Sequence, residues 1–328
     1  MIELKATNDR LKFHNKIVSD IFDKIVNKKI GYENIKNEDK RKVDKKTFKL
    51  NDKVIEFLKD NKEDLIGKEP ERLLELNKDY KNLGLNVTEE KKAKDFFCDV
   101  YKNHFQKYNG KAFLNYLDIE TCIYCNRNYT LDLKNSNHSR AQLDHWFPKE
   151  KFPILVLSFY NLIPCCHFCN HIKLNGDEMV KKLLKKPEAT DLEIYNWWIN
   201  DSLNQLNHPY LESDSHFKFT FFYQNLNNHK VSLNFDKNTR TAATLEFNKI
   251  DEIYNTNSDK ELKDLLDLRY KYSDNYIDIL INKTFEGIMS KEEIYRMIFG
   301  IEIKEEDYHK RPFSKFKHDI IEELKNIK

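Results

Sequence analysis

The nine residues "CCHFCNHIK" (165–173) place three cysteines and two histidines in one short stretch. Two residues separate Cys166 from Cys169, and the same spacing occurs upstream in "CIYC", where Cys122 precedes Cys125. Two such pairs, about 40 residues apart, are typical of a zinc site, because each pair presents two thiolates along one edge of a tetrahedron. The sequence therefore predicts one structural Zn2+ bound by these four cysteines.

Redox activity is the alternative use of the cysteine pairs, but neither pair lies in a strand-to-helix pattern of the thioredoxin type. A closed four-thiolate site has no open coordination position, so the predicted zinc stabilises the fold and does no chemistry. Cys165 is interpreted as a packed thiol, because only Cys166 has the two-residue spacing to Cys169. Cys98 is interpreted as a core residue of a helix.

The composition, with 40% hydrophobic and 34% charged residues in 328, is typical of a chain that folds into two or three packed units. No apolar run approaches the roughly 20 residues that cross a bilayer, and the first ten residues are charged where a secretory signal is apolar. We therefore expect a cytoplasmic protein without membrane association. The basic residues within 40–46 are interpreted as a solvated face.

The pattern along the chain predicts an α+β protein of three regions. Residues 1–110 form a mainly helical N-terminal region, in which Thr88 is expected to cap a helix and Gly110 to end it. Residues 111–185 are predicted to form the central domain, which contains five of the six cysteines. Residues 186–328 form an α+β C-terminal region, with a hairpin predicted from the alternating apolar residues of 217–221 and 231–235.

Helices are predicted after this hairpin, through 262–269 and from a capping box at Ser290 and Glu293 to Gly300. Trp197 and Trp198 are predicted to be core residues.

One carboxylate, one imidazole and two carboxamides lie between and just after the cysteine pairs. These are Asp144, His145, Asn161 and Asn170. A carboxylate and an amide oxygen are suitable ligands for a hard divalent ion, an imidazole can take a proton from water, and a second amide can orient its neighbours. The set therefore indicates metal-assisted phosphodiester hydrolysis.

The stretch from Cys122 to Lys173 resembles the HNH endonucleases of the ββα-metal type with a zinc-knuckle frame. The resemblance implies that Asp144 and Asn170 bind the catalytic metal, that His145 is the general base and that Asn161 is the orienting residue. The four cysteines match the structural zinc ligands of that family. Lys173, one helical turn after Asn170, is assigned to substrate phosphate.

The sequence departs from the all-histidine branch of this family, because Asn170 and Leu174 stand where that branch can have histidines. Oxygen ligands favour Mg2+ or Mn2+ over a catalytic Zn2+.

The phrases "LDHWFPK" and "LSFYNLIPCCHFCNHIK" also resemble the PtuB-like nuclease subunits of Septu-type anti-phage systems, which occur in some retron systems too. This second resemblance implies an antiviral defence nuclease that works with an ABC-like ATPase partner.

A non-catalytic zinc-framed module that binds nucleic acid or protein remains the alternative. Such a module has no need of Asp144, His145, Asn161 and Asn170 together, which favours the enzyme. The pattern does not distinguish DNA from RNA, because no base-reading motif is present.

Overall fold

The computed structural model describes residues 2–27, 50–130, 141–173, 176–225 and 228–326. The basic stretch within 40–46 and Leu174 lie outside these residues. The described residues form an α+β fold, as the sequence predicts, and contain two two-stranded antiparallel sheets. None of the described helices combines the length and the apolar character needed to span a bilayer.

The N-terminal part is helical, and the apolar spacing within 17–26 correctly predicts the first helix. Its helices are α1 (Asn8–Val26), α2 (Asp52–Asp60), α3 (Lys62–Gly67), α4 (Pro70–Lys81), α5 (Val87–Val100) and α6 (Lys107–Leu117), with a π-helical segment (Tyr101–Gln106) joining the last two.

Two predictions about α5 are wrong. Its N-cap is Asn86 and not Thr88, because the Asn86 side chain accepts from the Glu89 amide (3.0 Å) while the Glu89 carboxylate accepts from the Asn86 amide (2.9 Å). Gly110 does not end a helix but lies inside α6, which stops at Asp118 in the left-handed region (φ 52°). Phe113 and Leu117 bury the inner face of α6, and this packing outweighs the cost of about 1 kcal/mol for a helical glycine.

The central part contains the strand–strand–helix unit that carries the predicted site. Strand β1 (Ala141–His145) pairs antiparallel with β2 (Leu162–Cys166), and α7 (His167–Lys173) follows β2 directly. The loop 146–161 joins the strands through two short 3-10 turns (Pro153–Leu155 and Phe159–Asn161).

The C-terminal part surrounds a hairpin, as predicted. The helices α8 (Gly176–Leu184), α9 (Asp191–Asn200) and α10 (Ser202–Gln205) precede it. The hairpin comprises β3 (Phe217–Asn225) and β4 (Asn228–Phe235). The elements after it are α11 (Arg240–Phe247), α12 (Ile250–Asn257), α13 (Asp259–Lys271), α14 (Asp274–Ile279), a π-helical segment (Leu280–Thr284), α15 (Lys291–Phe299), a 3-10 segment (Glu305–Lys310) and α16 (Ser314–Asn326).

The finer predictions for this part are confirmed. Phe219 pairs with Leu233 in the hairpin, and α16 packs against β3. The capping box of α15 is present, and Gly300 ends this helix in the left-handed conformation (φ 66°). Trp197 and Trp198 are buried.

A single hydrophobic core includes side chains from all three parts. The predicted division at residues 110 and 185 stays a prediction, and residue 110 lies within a continuous helix.

Candidate functional site

Four of the cysteines form one compact cluster. Cys122 and Cys125 lie on the turn after α6, Cys166 ends β2, and Cys169 lies in α7. Their sulfur atoms all lie within 4.8 Å of one another, and all four residues are buried and not disulfide-bonded. A tetrahedral zinc with bonds of about 2.3 Å separates its sulfur ligands by about 3.8 Å, so the cluster fits structural zinc with small movements.

Hydrogen bonds to the cysteine sulfurs also support a structural zinc site. The Arg127 amide donates to Cys125 Sγ (3.4 Å), and Asn128 Nδ2 donates to Cys166 Sγ (3.4 Å). Hydrogen bonds from the neighbouring thiols, Cys122 first, lower the pKa of Cys166, whereas burial raises the pKa of Cys122. Donors directed at the sulfurs stabilise thiolate, which is the form that binds metal.

The first cysteine pair is attached to the C-terminal part of the chain through Asn126. This residue adopts the left-handed conformation (φ 50°), and its Nδ2 donates to Thr121 Oγ1 (2.9 Å) and to the Tyr308 carbonyl (2.9 Å). The Tyr254 hydroxyl donates to the Cys125 carbonyl (2.7 Å). This anchor was not predicted from the sequence. The only signal for it was an asparagine directly after a cysteine pair, a residue type that tolerates positive φ.

The remaining cysteines do not join the cluster. Cys165 is buried on β2, and burial raises its pKa well above the usual range, so it is a packed thiol as expected. Cys98 is only half-buried, although burial still raises its pKa.

A second polar centre opens as a cleft of about 320 Å3 beside the same strands. Asp144 and His145 reach it from the end of β1, whereas Asn170 and Lys173 reach it from α7. The structure thus brings together four of the five predicted residues of this site. Asn161 does not line the cleft but lies buried behind it.

His145 is held as a neutral imidazole. Its Nε2 lies 3.1 Å from the Val156 carbonyl. Since a carbonyl only accepts, Nε2 carries the hydrogen and Nδ1 carries the lone pair. The Tyr101 ring meets the imidazole edge-on at 4.4 Å, and burial lowers the pKa of His145 to about 4. The ring is therefore uncharged throughout the neutral pH range.

Asn161 holds the loop that positions His145. Its Oδ1 accepts from the Phe147 amide (2.6 Å), and its Nδ2 donates to the carbonyls of Phe147 (3.3 Å) and Leu155 (2.9 Å). Leu155 precedes Val156, whose carbonyl binds His145. Asn161 therefore acts on the imidazole through the loop and does not touch it.

His14 of α1 supports the neighbouring part of this loop. It is buried, its Nε2 donates to the Leu157 carbonyl (2.7 Å), and burial lowers its pKa to about 4. The N-terminal part therefore contributes directly to the packing of the site.

Asp144 is held by two side chains that the sequence analysis did not pair with it. The Lys173 ammonium lies 2.5 Å from its Oδ2, and the Tyr124 hydroxyl donates to the same oxygen (2.5 Å). Both Asp144 and Lys173 have side chains that are only 7% exposed. Tyr124 lies between the first two cysteines, so the thiol cluster and the carboxylate are adjacent in space.

Asn170 is oriented by a neighbouring strand residue. Its Nδ2 donates to Gln142 Oε1 (2.6 Å), while Gln142 Nε2 donates to His167 Nδ1 (2.9 Å). Asn170 Oδ1 is therefore the amide atom available as a ligand. Gln142 was not singled out from the sequence, because its position on β1 beside α7 is a tertiary feature.

The donor set at the cleft fits a hard divalent ion. Among the residues that the structure describes, the four cysteines are the only group of three or more His, Cys, Asp or Glu side chains that can hold a metal. The cleft offers the carboxylate of Asp144 and the amide oxygen of Asn170, while its two other carboxylates, Glu150 and Asp177, are paired with Lys94 and Lys151. Such a small oxygen set suits Mg2+ or Mn2+, which retain several waters when protein-bound.

No protein-family model, curated protein or solved structure matches this chain.

Proposed function

We propose that this protein is a metal-dependent HNH-type endonuclease that hydrolyses phosphodiester bonds in nucleic acid. The observation that carries the proposal is the convergence of a carboxylate, a neutral imidazole, a carboxamide and a lysine on one cleft of a β1–β2–α7 unit. The thiol cluster fastens the end of this unit, where β2 meets α7, to the turn after α6. A site assembled this way keeps its reactive groups on rigid elements.

His145 supplies the base in this proposal. Its Nδ1 lone pair is free to take a proton from a water that attacks phosphorus, and Nε2 remains bonded to Val156. Because the pKa is about 4, the ring is neutral at pH 7 and its lone pair needs no prior deprotonation, although a base of this pKa holds the proton less strongly than a free imidazole.

Asp144 and Asn170 are the residues that would hold Mg2+ or Mn2+. When bound there, the ion supplies positive charge for the scissile phosphate and the departing oxygen. Lys173 lies in the same cleft and can offer its ammonium to a phosphate oxygen.

A non-catalytic zinc-framed binding module is the second candidate. One observation favours it: Asp144 Oδ2 is already satisfied by Lys173 and Tyr124, so this centre is also stable as a structural ion pair. In that case His145 would be a packed histidine.

We further propose an ABC-like ATPase as partner and antiviral defence as the role. The support is the resemblance to PtuB-like subunits, together with exposed apolar side chains on the C-terminal part, such as Tyr270 (91% exposed) and Ile288 (76%). Co-purification from the native host tests the partner. A solitary chain with full, unregulated cleavage would count against it.

The test of the nuclease proposal is cleavage by the purified full chain, with and without co-purifying proteins. Plasmid DNA, single-stranded DNA and RNA are each incubated with Mg2+, Mn2+ or EDTA, and zinc content is measured in every sample. We expect cleavage of at least one substrate with Mg2+ or Mn2+ and none in EDTA while zinc is retained. Binding without cleavage in all arms would favour the binding module.

A further inference from the structure

The Lys173 ammonium is held by several surrounding groups that favour a positive charge. Its ammonium contacts Asp144 Oδ2 (2.5 Å), the Tyr124 hydroxyl (3.3 Å) and the His145 carbonyl (3.4 Å). The rings of Tyr124 and Trp146 lie 5.5 and 5.8 Å from it, within the range of cation–π attraction. Every group around the ammonium therefore stabilises a positive charge.

The same carboxylate is the only acidic ligand proposed for the divalent ion. One buried carboxylate balances one ammonium, and a second cation beside it would be repelled by Lys173 across a few ångströms of low-dielectric protein. Oδ2 also already accepts two hydrogen bonds. Asp144 therefore cannot bind the Lys173 ammonium and a divalent ion at the same time without weakening one of the two interactions.

We propose that Lys173 is an internal counterion that competes with the divalent ion for Asp144, so that the ion binds only when the ammonium moves away. This inference rests on the proposed function. Lys173 lines the cleft and has a flexible four-carbon stem, so its ammonium can turn toward the open side without unfolding α7. The resting protein then binds its catalytic ion weakly, although the ligands are already in place.

The experiment measures Mn2+ binding to the full zinc-loaded chain, without nucleic acid, from the loss of the free-ion signal in electron paramagnetic resonance. Lys173→Gln removes the charge but keeps a hydrogen-bond donor. Lys149→Gln is the matched control, because Lys149 lines the same cleft and also lowers the pKa of His145 through its charge. Tyr124→Phe removes the other bond to Oδ2 while leaving the cation.

We expect Lys173→Gln to raise the affinity for Mn2+ at least about tenfold, a coupling of about 1.4 kcal/mol. Lys149→Gln should change the affinity by less than about threefold, and Tyr124→Phe should not raise it. Lys173→Arg keeps the charge and pairs with carboxylate more strongly, so it should bind Mn2+ no better than the parent. The Arg variant keeps the inference testable if Lys173→Gln fails to fold.

Equal affinities of the parent and Lys173→Gln, both lost in Asp144→Asn, would overturn the counterion role and leave the proposed function intact. An Arg variant that binds Mn2+ more tightly than the parent would also overturn it. If no variant shows Mn2+ binding that depends on Asp144, the proposed metal-dependent function falls together with this inference.

Discussion

The thiol cluster and the Asp144 cleft share the same strands and helix but are built in opposite ways. The four sulfurs are buried and lie within 4.8 Å of one another, so one ion satisfies all of them. The cleft residues face an open volume of about 320 Å3, and each is already bonded to another part of the protein. The first centre has the arrangement that a zinc ion would complete, whereas the second is stable without a metal.

This difference predicts that metal loss has different consequences at the two centres. At the cluster, the binding free energy of a zinc ion would also be folding free energy, because one ion would join four thiols from two segments of the chain. At the cleft, removing an ion leaves Asp144 paired with Lys173.

Loss of the zinc ligands should have the largest effect. Structural zinc contributes apparent binding energies of about 10 kcal/mol or more, so Cys122→Ser should unfold the central part and abolish zinc binding. Metal analysis and circular dichroism check this. Cys165→Ala is the matched control, since Cys165 is equally buried but outside the cluster, and it should retain zinc. A folded, zinc-free chain would contradict the prediction.

Mild acid should weaken the cleft side of the molecule. Burial lowers the pKa of His14 and of His145 to about 4 and that of His208 to about 3, whereas unfolded histidine titrates near 6.5. The unfolded chain therefore binds more protons below pH 6.5, and stability is complete above that pH and falls as the pH drops toward 4.

At pH 5, each of these buried histidines should lower the free energy of unfolding by about 2 kcal/mol. The three together should lower it by at most about 6 kcal/mol. Urea unfolding at pH 7 and pH 5, with zinc content monitored, measures the loss. His14→Phe should reduce the pH dependence. Stability that is flat from pH 7 to pH 5 would show that the three rings are not buried neutral.

Asp144→Ala and Asn170→Ala should lower cleavage through the loss of the divalent ion. We expect rates lower by about 10²-fold, partly recovered by excess Mg2+ or Mn2+. Cleavage rate against metal concentration separates this effect from loss of the base, which no metal restores. Both variants should retain zinc, because separate thiolates bind it. Release of zinc from either variant would mean that the two centres are not independent.

Asn161→Ala should have the smallest effect of this set. It leaves two carbonyls and one amide of the loop without their partner, which should destabilise the fold by about 2–4 kcal/mol and reduce cleavage moderately. Asn77→Ala is the comparison, because Asn77 is equally buried but, within the described ranges, its side chain bonds only the Tyr195 hydroxyl. Equal losses in the two variants would argue against a loop-holding role.

The contrast between the centres also explains what the sequence could predict. Cysteine spacing is local and carries its own geometry, so the cluster could be predicted from it, as could the hairpin and the capped helix after Ser290. The pairing of Lys173 with Asp144 depends on how α7 packs on β1, and the role of Asn126 depends on segments near residue 310. Gly110 shows the same limit, because tertiary packing kept its helix intact.

The resemblance to HNH nucleases indicated which residues meet, but not what they contact. Asp144, His145, Asn170 and Lys173 share a cleft as that resemblance implies, whereas Asn161 acts through a loop of the protein itself. Hydrogen-bond partners such as the Val156 carbonyl are main-chain atoms. Every residue has such a carbonyl, so the residue type does not predict the contact.

The central claim is that His145 is the base of a phosphodiester hydrolase, and the most direct test compares His145→Ala with His14→Ala. Both parent rings are buried and neutral, and each donates to an adjacent carbonyl of the same loop, but only His145 lines the cleft. The measurement is the single-turnover cleavage rate per folded, zinc-loaded molecule in saturating Mg2+. We expect His145→Ala to be about 10²-fold to 10⁴-fold slower, and His14→Ala, which acts only through the loop, to lose less than about tenfold. A folded His145→Ala that cleaves at the parental rate would contradict the account.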